Sequence, residues 1–222
     1  MDNLTNWETD DINNLLILLV GKHYGNNPLE QLKKIQQIKF HEAQNVVNAL
    51  ALSSDDTVID LGSGCGFIAE HVSSRVKNLY CVDISRSFLD YAKKINSNHN
   101  NVDYYHIPFG DLSNVPTVSA IYSMAVFIHF NLYDIYIYLK SCYNCLAHTG
   151  RMLFDVLNDN MLDINSERWQ RHSDRYIQDR QHIFTNLHYN NSSVIQKIAI
   201  KIGFHILWTK NENDHTFILI QK

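Results

Sequence analysis

Basic residues are in short supply in this 222-residue chain. Its 19 lysines and arginines stand against 23 aspartates and glutamates, a net charge of −4 with histidine neutral. A general nucleic-acid binder shows a basic footprint, so no nucleic-acid partner is expected. No secretory leader is expected either, since Met1-Asp2-Asn3-Leu4 has no basic residue and acids follow it. The longest apolar run, Leu15 to Val20, is far short of the roughly 20 residues that cross a bilayer. The expectation is a cytoplasmic protein with no membrane partner. Cysteine is sparse, with Cys65, Cys81, Cys142 and Cys145. The pair Cys142-x-x-Cys145 has neither the second ligand pair of a zinc site nor a thioredoxin-like context, and it falls inside a helical pattern. Two core-facing thiols one turn apart is the reading it supports, with Cys65 and Cys81 as small buried apolar residues. The histidines show no metal-ligand spacing, so no metal is expected. Internal repeats and low-complexity tails are absent.

What is present is a soluble composition, 45% hydrophobic and 19% charged, in a chain long enough for one good-sized core. Its most informative stretch is Val58 to Gly66, V-I-D-L-G-S-G-C-G. An apolar strand ends in Asp60 and runs into Gly62, Gly64 and Gly66. A second apolar strand, Leu79 to Val82, ends in Asp83. Glycines let a backbone pass close to a ligand that a Cβ would block. The start of a following helix presents unpaired N–H groups. A carboxylate at the tip of the second strand accepts hydrogen bonds from both hydroxyls of a ribose. The dinucleotide fingerprint G-x-G-x-x-G does not fit, because the third glycine comes one residue early and Phe67 stands where that motif needs glycine.

Elsewhere the pattern alternates. Helices are expected over Thr9–Val20 and Pro28–Leu52, the latter with proline at its start. Strands at Thr57–Leu61, Asn78–Asp83, Val102–His106, Ser119–Ala125 and Arg151–Val156 alternate with helices near 66–75, 85–96 and 132–146. Such alternation implies parallel strands. A helix over Ser192–Ile202 leads to strands 204–209 and 216–220, joined by the turn 211–214 as an antiparallel hairpin. The fold expected is α/β, a Rossmann-like three-layer sandwich with a seven-stranded, mostly parallel sheet. Residues 1–56 are read as an N-terminal helical lid and 57–222 as the main domain. The stretch 158–190 is too long for a simple loop, and is read as a cap over the carboxyl edge of the sheet.

The acid, the three spaced glycines and the second acid in register resemble motif I of the class I S-adenosylmethionine-dependent methyltransferases. The closing hairpin is similar to the reversed last strand of that family's seven-stranded sheet. The resemblance implies S-adenosylmethionine as cofactor. The N–H groups of Gly62, Ser63 and Gly64 would face its methionyl part, with Gly66 completing the loop. Asp60 would orient the ammonium, Asp83 the ribose, and Ile84 the adenine. Where many members carry Gly-Asp after the third strand, this chain has Ile107-Pro108, so Pro108 and Phe109 are expected to pack on the base in place of Asp111. Met124, in the fourth strand, would be a further cofactor contact. Amino-methylating DNA enzymes have an acid or asparagine, Pro-Pro and an aromatic there; Ser123-Met124-Ala125-Val126 does not. The run resembles small-molecule methyltransferases, such as those acting on phosphoethanolamine, which have a histidine shortly after this strand.

His129 matches that histidine and Tyr24 is its candidate N-terminal partner. His129 is read either as a catalytic base or as a residue capping the next helix. His41 is read as a surface histidine or a cofactor contact. In the cap, Arg168, Arg171 and Arg175 share a helix face, either to hold an anionic group of the acceptor or as a solvated salt-bridge face with Glu167, Asp174 and Asp179. His188 and Tyr189 are candidates to line the acceptor pocket. The leading expectation is methyl transfer to an oxygen or nitrogen of a small molecule. The alternatives are a protein or peptide methyltransferase and a non-catalytic S-adenosylmethionine-binding scaffold.

Overall fold

The computed structural model describes residues 9–20, 27–159, 162–178 and 187–222. Helices α1 (Thr9–Val20) and α2 (Pro28–Leu50) precede β1 (Thr57–Leu61), α3 (Ala69–Val72), β2 (Asn78–Asp83), α4 (Arg86–Ile95) and β3 (Val102–His106). Then follow β4 (Val118–Ser123), α5 (Leu132–Cys145), β5 (Leu146–Asn158), α6 (Glu167–Gln178), β6 (Tyr189–Asn190), α7 (Ser192–Ile202), β7 (His205–Glu212) and β8 (His215–Gln221).

Every residue of β1 after Thr57 is buried, as a strand covered on both faces requires. It lies between β2 and β4, parallel to both. The sheet order is β3-β2-β1-β4-β5-β8-β7, with β8 antiparallel to β5 and β7. These are the seven strands and the closing hairpin expected from the sequence. The eighth, β6, was not anticipated: it pairs in parallel with the end of β5, Leu157 with Tyr189 and Asn158 with Asn190. The chain winds outward from β1 to β3 and returns to β4, so the β1/β4 boundary is the switch point where ligands of such sheets bind.

Helices cover both faces. On one side α2, α3 and α4 pack through Ala43, Val46, Leu50, Val72 and Leu89 on Val58, Cys81, Tyr122 and Leu153. On the other, α5 and α7 pack through Ile135, Leu139, Ile195 and Ala199 on Ile59, Val82, Phe154 and Ile218. Local chemistry sets the helix starts. The Asn27 side chain accepts from Glu30 N, with Pro28 following. Ser85 caps α4, and Asn131 and Asp134 form a capping box on α5. Cys142 and Cys145 are buried thiols on the inner side of α5, as core packing requires.

Two elements differ from expectation. The helix after the glycine loop does not begin at Gly66. Gly66 N–H closes a turn on Ser63 O, and the bend and turn that follow over Gly66 to Ile68 bury Phe67 and Ile68 in the core. Only Ala69–Val72 is α-helical, continued by a 3-10 turn over Ser73–Arg75. Strand β5 begins early, at Leu146, because Leu146 pairs with Val118 ahead of a register shift near the left-handed Thr149.

Candidate active site

Asp60 and Asp83 end up buried at the carboxyl tips of adjacent strands, 3% and 7% exposed. Asp83 is held by backbone donors: Gly64 N–H reaches Oδ2 at 2.8 Å and Ser85 N–H reaches Oδ1 at 2.8 Å. Burial raises its carboxyl above the usual aspartate value, opposed by these N–H groups and by nearby His106. Asp60 has fewer partners. Its Oδ2 and the Tyr122 hydroxyl are both buried without a hydrogen bond. The hydroxyl stands close enough to favour the charged carboxylate but outside hydrogen-bond geometry. Burial pushes Asp60 up to about 7, the Asp83 charge adds to this, and the Tyr122 hydroxyl and the Lys39 ammonium oppose it. Lys39, from α2, was not singled out from the sequence. A buried carboxylate at neutral pH with an orphaned oxygen is a receptor for a cationic group.

The glycine loop is wired differently from the expectation. Gly62 and Ser63 N–H both donate to Val82 O, at 2.7 and 3.1 Å, and Gly64 N–H goes to Asp83. These three N–H groups are therefore not the ones offered to a methionyl group; they fasten the loop onto the end of β2. What the loop provides is space. A Cβ on Gly64 (φ 53°) would meet nothing within 4 Å, whereas one on Gly62 (φ 73°) would run into Val126 Cγ2. Gly62→Ala is thus expected to cost about 2–4 kcal/mol of stability in chemical denaturation, through left-handed strain and displacement of Val126. Gly66 is closed off by α4, where Asn96 Nδ2 donates to its carbonyl at 3.1 Å.

Residues 58–150 match a family model described as a methyltransferase domain. Over those residues the chain carries a methyltransferase domain. The methyltransferase is also similar in structure to mycolic acid cyclopropane synthase CmaA1, at a TM-score of 0.70 and 15% identity, covering 96% of this chain and 94% of that one. It resembles magnesium protoporphyrin IX methyltransferase from Synechocystis PCC 6803 at 0.66 and 13%, covering 94% and 93%. The N-methyltransferase NodS from Bradyrhizobium japonicum WM9 gives 0.61 and 11%, covering 94% and 96%. At such identities the likeness speaks to the fold. All three were crystallised with S-adenosylhomocysteine, the demethylated product of this family's cofactor, S-adenosylmethionine.

The residues of the methyltransferase fit that cofactor. The orphaned Asp60 oxygen suits an ammonium, and the open space over Gly64 leaves room beside Asp83. Ile84 and Phe109 are large apolar side chains left exposed at the ends of β2 and β3, where a flat base has something to pack on. Pro108 is exposed beside Phe109. Phe109 is itself held edge-on by Phe130 and Tyr138 at 5.8 and 4.9 Å. His106, which sequence reasoning passed over, is paired with Asp83 across β2 and β3, and its Nε2 lies 3.0 Å from Ile84 O. Asp111 is turned away, accepting from Ser113 N–H in its own loop.

On the acceptor side, His129 closes a 3-10 turn, Phe127–His129, directly after β4. His188 and Tyr189 are brought to that turn: His188 N–H donates to Ile128 O at 2.7 Å and Asn190 Nδ2 to Phe130 O at 2.9 Å. Burial lowers the His188 imidazole below its ordinary value, partly offset by Asp134. Trp169 of α6 lies 6.1 Å from Tyr189, centroid to centroid. Arg171 is exposed on α6. Arg168 lies on the same helix, but its side chain is outside what is described, and so is that of Arg175. Tyr24 and Asp179 lie outside the described residues. Met124 sits on the α2 face of the sheet, and His41 is exposed on α2.

Proposed function

We propose that the enzyme transfers a methyl group to an oxygen or nitrogen of a small molecule. The observation that carries this reading is the seating of residues 188–190 on the turn after β4. Two hydrogen bonds fasten the returning chain across the strand end where an acceptor would stand. A covered, aromatic-walled site of this kind suits a compact acceptor better than a polymer. The similar proteins include a magnesium protoporphyrin IX methyltransferase and an N-methyltransferase. No helix among the described residues is long and apolar enough to cross a membrane.

Bound S-adenosylmethionine supplies a methyl group already activated by a positive sulfur, so the protein's work is chiefly positioning. In this reading Asp60 orients the cofactor's ammonium. Asp83 accepts from the ribose, Ile84, Pro108 and Phe109 enclose the adenine, and Gly62, Ser63, Gly64 and Gly66 shape the cleft. Met124 walls it beside β4. His129, with Tyr24, serves the acceptor's proton. Arg168, Arg171, His188 and Tyr189 line the acceptor side of the cap at 158–190, and the helices of 1–56 close the opposite wall.

Labelled methyl from S-adenosylmethionine, incubated with size-fractionated cell extract, is expected to enter the small-molecule fraction. Label found only in macromolecules overturns the reading. Asp83→Ala is expected to weaken S-adenosylmethionine by about tenfold or more in calorimetric titration, because ribose hydroxyls lose a buried acceptor. An unchanged Kd would remove Asp83 from the cofactor site.

A further inference from the structure

Tyr122 is a buried polar side chain that the cofactor contacts above leave unused. It lies fully buried in β4, and its hydroxyl has no hydrogen-bond partner. Phenylalanine would fill the same space without an unsatisfied donor, so the hydroxyl calls for a use. Strand register supplies one. Asp60 of β1 stands between Cys81 of β2 and Tyr122 of β4, in one row across the sheet. Neighbouring strands are about 4.8 Å apart, so Tyr122 is a direct cross-strand neighbour of Asp60. Val58, Cys81 and Tyr122 pack on the α2 side, and Asp60, two residues beyond Val58, faces that side too. Asp60 Oδ2 is likewise buried and unpaired. A donor and an acceptor, both orphaned, thus stand side by side on one face.

The other groups facing Asp60 serve it less well. Lys39 acts on it from α2, but its ammonium pairs with Glu42 at 2.7 Å. The N–H groups of Gly62, Ser63 and Gly64 are spent on the end of β2. Ser63 Oγ is unpaired too, and its neighbour is the Cys81 thiol. Asp83 carries the same charge and is held by Gly64 and Ser85 N–H. Burial pushes the Cys65 thiol up to about 12 and raises that of Cys81, so neither is charged near neutrality. Burial, then the Asp60 charge, raises the Tyr122 hydroxyl well above its ordinary value. It therefore keeps its proton, and remains a donor, wherever Asp60 titrates.

We propose that Tyr122 is a positioning residue for the cofactor: its hydroxyl donates to the Asp60 carboxylate and keeps that group charged and aimed at the cofactor's ammonium. A carboxylate has about four acceptor sites, so it holds the hydroxyl and the ammonium together. The hydroxyl stands outside bonding geometry in this structure and closes on the carboxylate once that group is ionised.

This rests on the reading that Asp60 receives the ammonium, and the test keeps the two apart. The variant is Tyr122→Phe, which leaves the ring in the same core cluster. Carbon-13 NMR of carboxyl-labelled aspartate, with Asp60→Asn to assign the signal, follows Asp60 in the cofactor-free protein. The wild-type midpoint is expected where burial pushes it, at about 7. In Tyr122→Phe it should lie about one pH unit higher, because the charged form has lost a donor. Calorimetric Kd values for S-adenosylmethionine are then compared at pH 6 and pH 8. The variant should bind about tenfold more weakly than wild type at pH 6 but only about twofold more weakly at pH 8, following the ionised fraction of Asp60. Titration of the ligand's own amine is common to both proteins and cancels from the ratio. A tyrosine that only packs gives the same ratio at both pH values. An unmoved midpoint, or a ratio that does not change with pH, overturns the proposal. If Asp60→Asn still weakens S-adenosylmethionine, Tyr122 alone has failed; if Asp60→Asn binds as wild type does, the ammonium reading has failed with it.

Discussion

Asp60→Asn is expected to weaken S-adenosylmethionine by about a hundredfold and yet to stabilise the empty protein. Both effects come from one buried carboxylate. With 3% exposure and an orphaned Oδ2, Asp60 pays for its charge in the absence of a cation. Burial, helped by Asp83, pushes it up to about 7 from the usual 3.8. The sign follows from linkage. Below pH 3.8 the carboxyl is protonated whether the chain is folded or not, and the fold carries no penalty from it. As pH rises from 3.8 to about 7 the unfolded chain ionises first, and stability falls by up to about 4 kcal/mol. Asparagine cannot ionise, so this part of the pH slope should vanish. Urea denaturation at pH 5 and pH 8 measures it: the wild type should lose stability between the two, the variant less. Binding has the opposite slope. An ammonium pairs with the ionised form, so affinity should fall by about tenfold per pH unit below 7 in the wild type. The expected hundredfold loss in the variant is the ordinary scale for removing a charged, buried hydrogen-bond partner. Equal affinity in the two proteins, or no gain in stability, would take the ammonium away from Asp60.

How much of this was legible in the sequence depends on range. Asp60, the glycines and Asp83 are close together along the chain, and a strand–turn–helix places them with little outside help. The same holds for alternation: β1 to β5 and the closing hairpin follow from local pattern. The loop's hydrogen bonding was not legible, because whether Gly62 N–H points at a ligand or at Val82 O depends on where β2 ends. Lys39 reaches Asp60's surroundings from α2 only through packing. The Asp155–His215 pair joins residues 60 apart, and no spacing rule connects a strand-interior acid to a histidine beyond a later turn. Strand β6, two residues long, has too little pattern to read. Apart from β6, each miss is a long-range contact between elements that were themselves correctly anticipated.

The acceptor's proton is the remaining question, and His129→Ala addresses it. The expected outcome is a fall in kcat of about a hundredfold with little change in the Kd of S-adenosylmethionine, the usual size for losing a general base. Position supports the role: the turn carrying His129 follows β4 directly and is pinned from outside by His188 N–H and Asn190 Nδ2. A histidine that only held that turn would behave otherwise. Its loss would loosen residues 188–190, lower thermal stability and raise KM, while the pH profile of kcat kept its shape. Loss of a base instead flattens the acidic limb of that profile, because the group whose deprotonation it reported is gone. His129→Gln sharpens the contrast, since it retains hydrogen bonding without proton transfer near neutrality. If the glutamine variant recovers turnover, the histidine is structural.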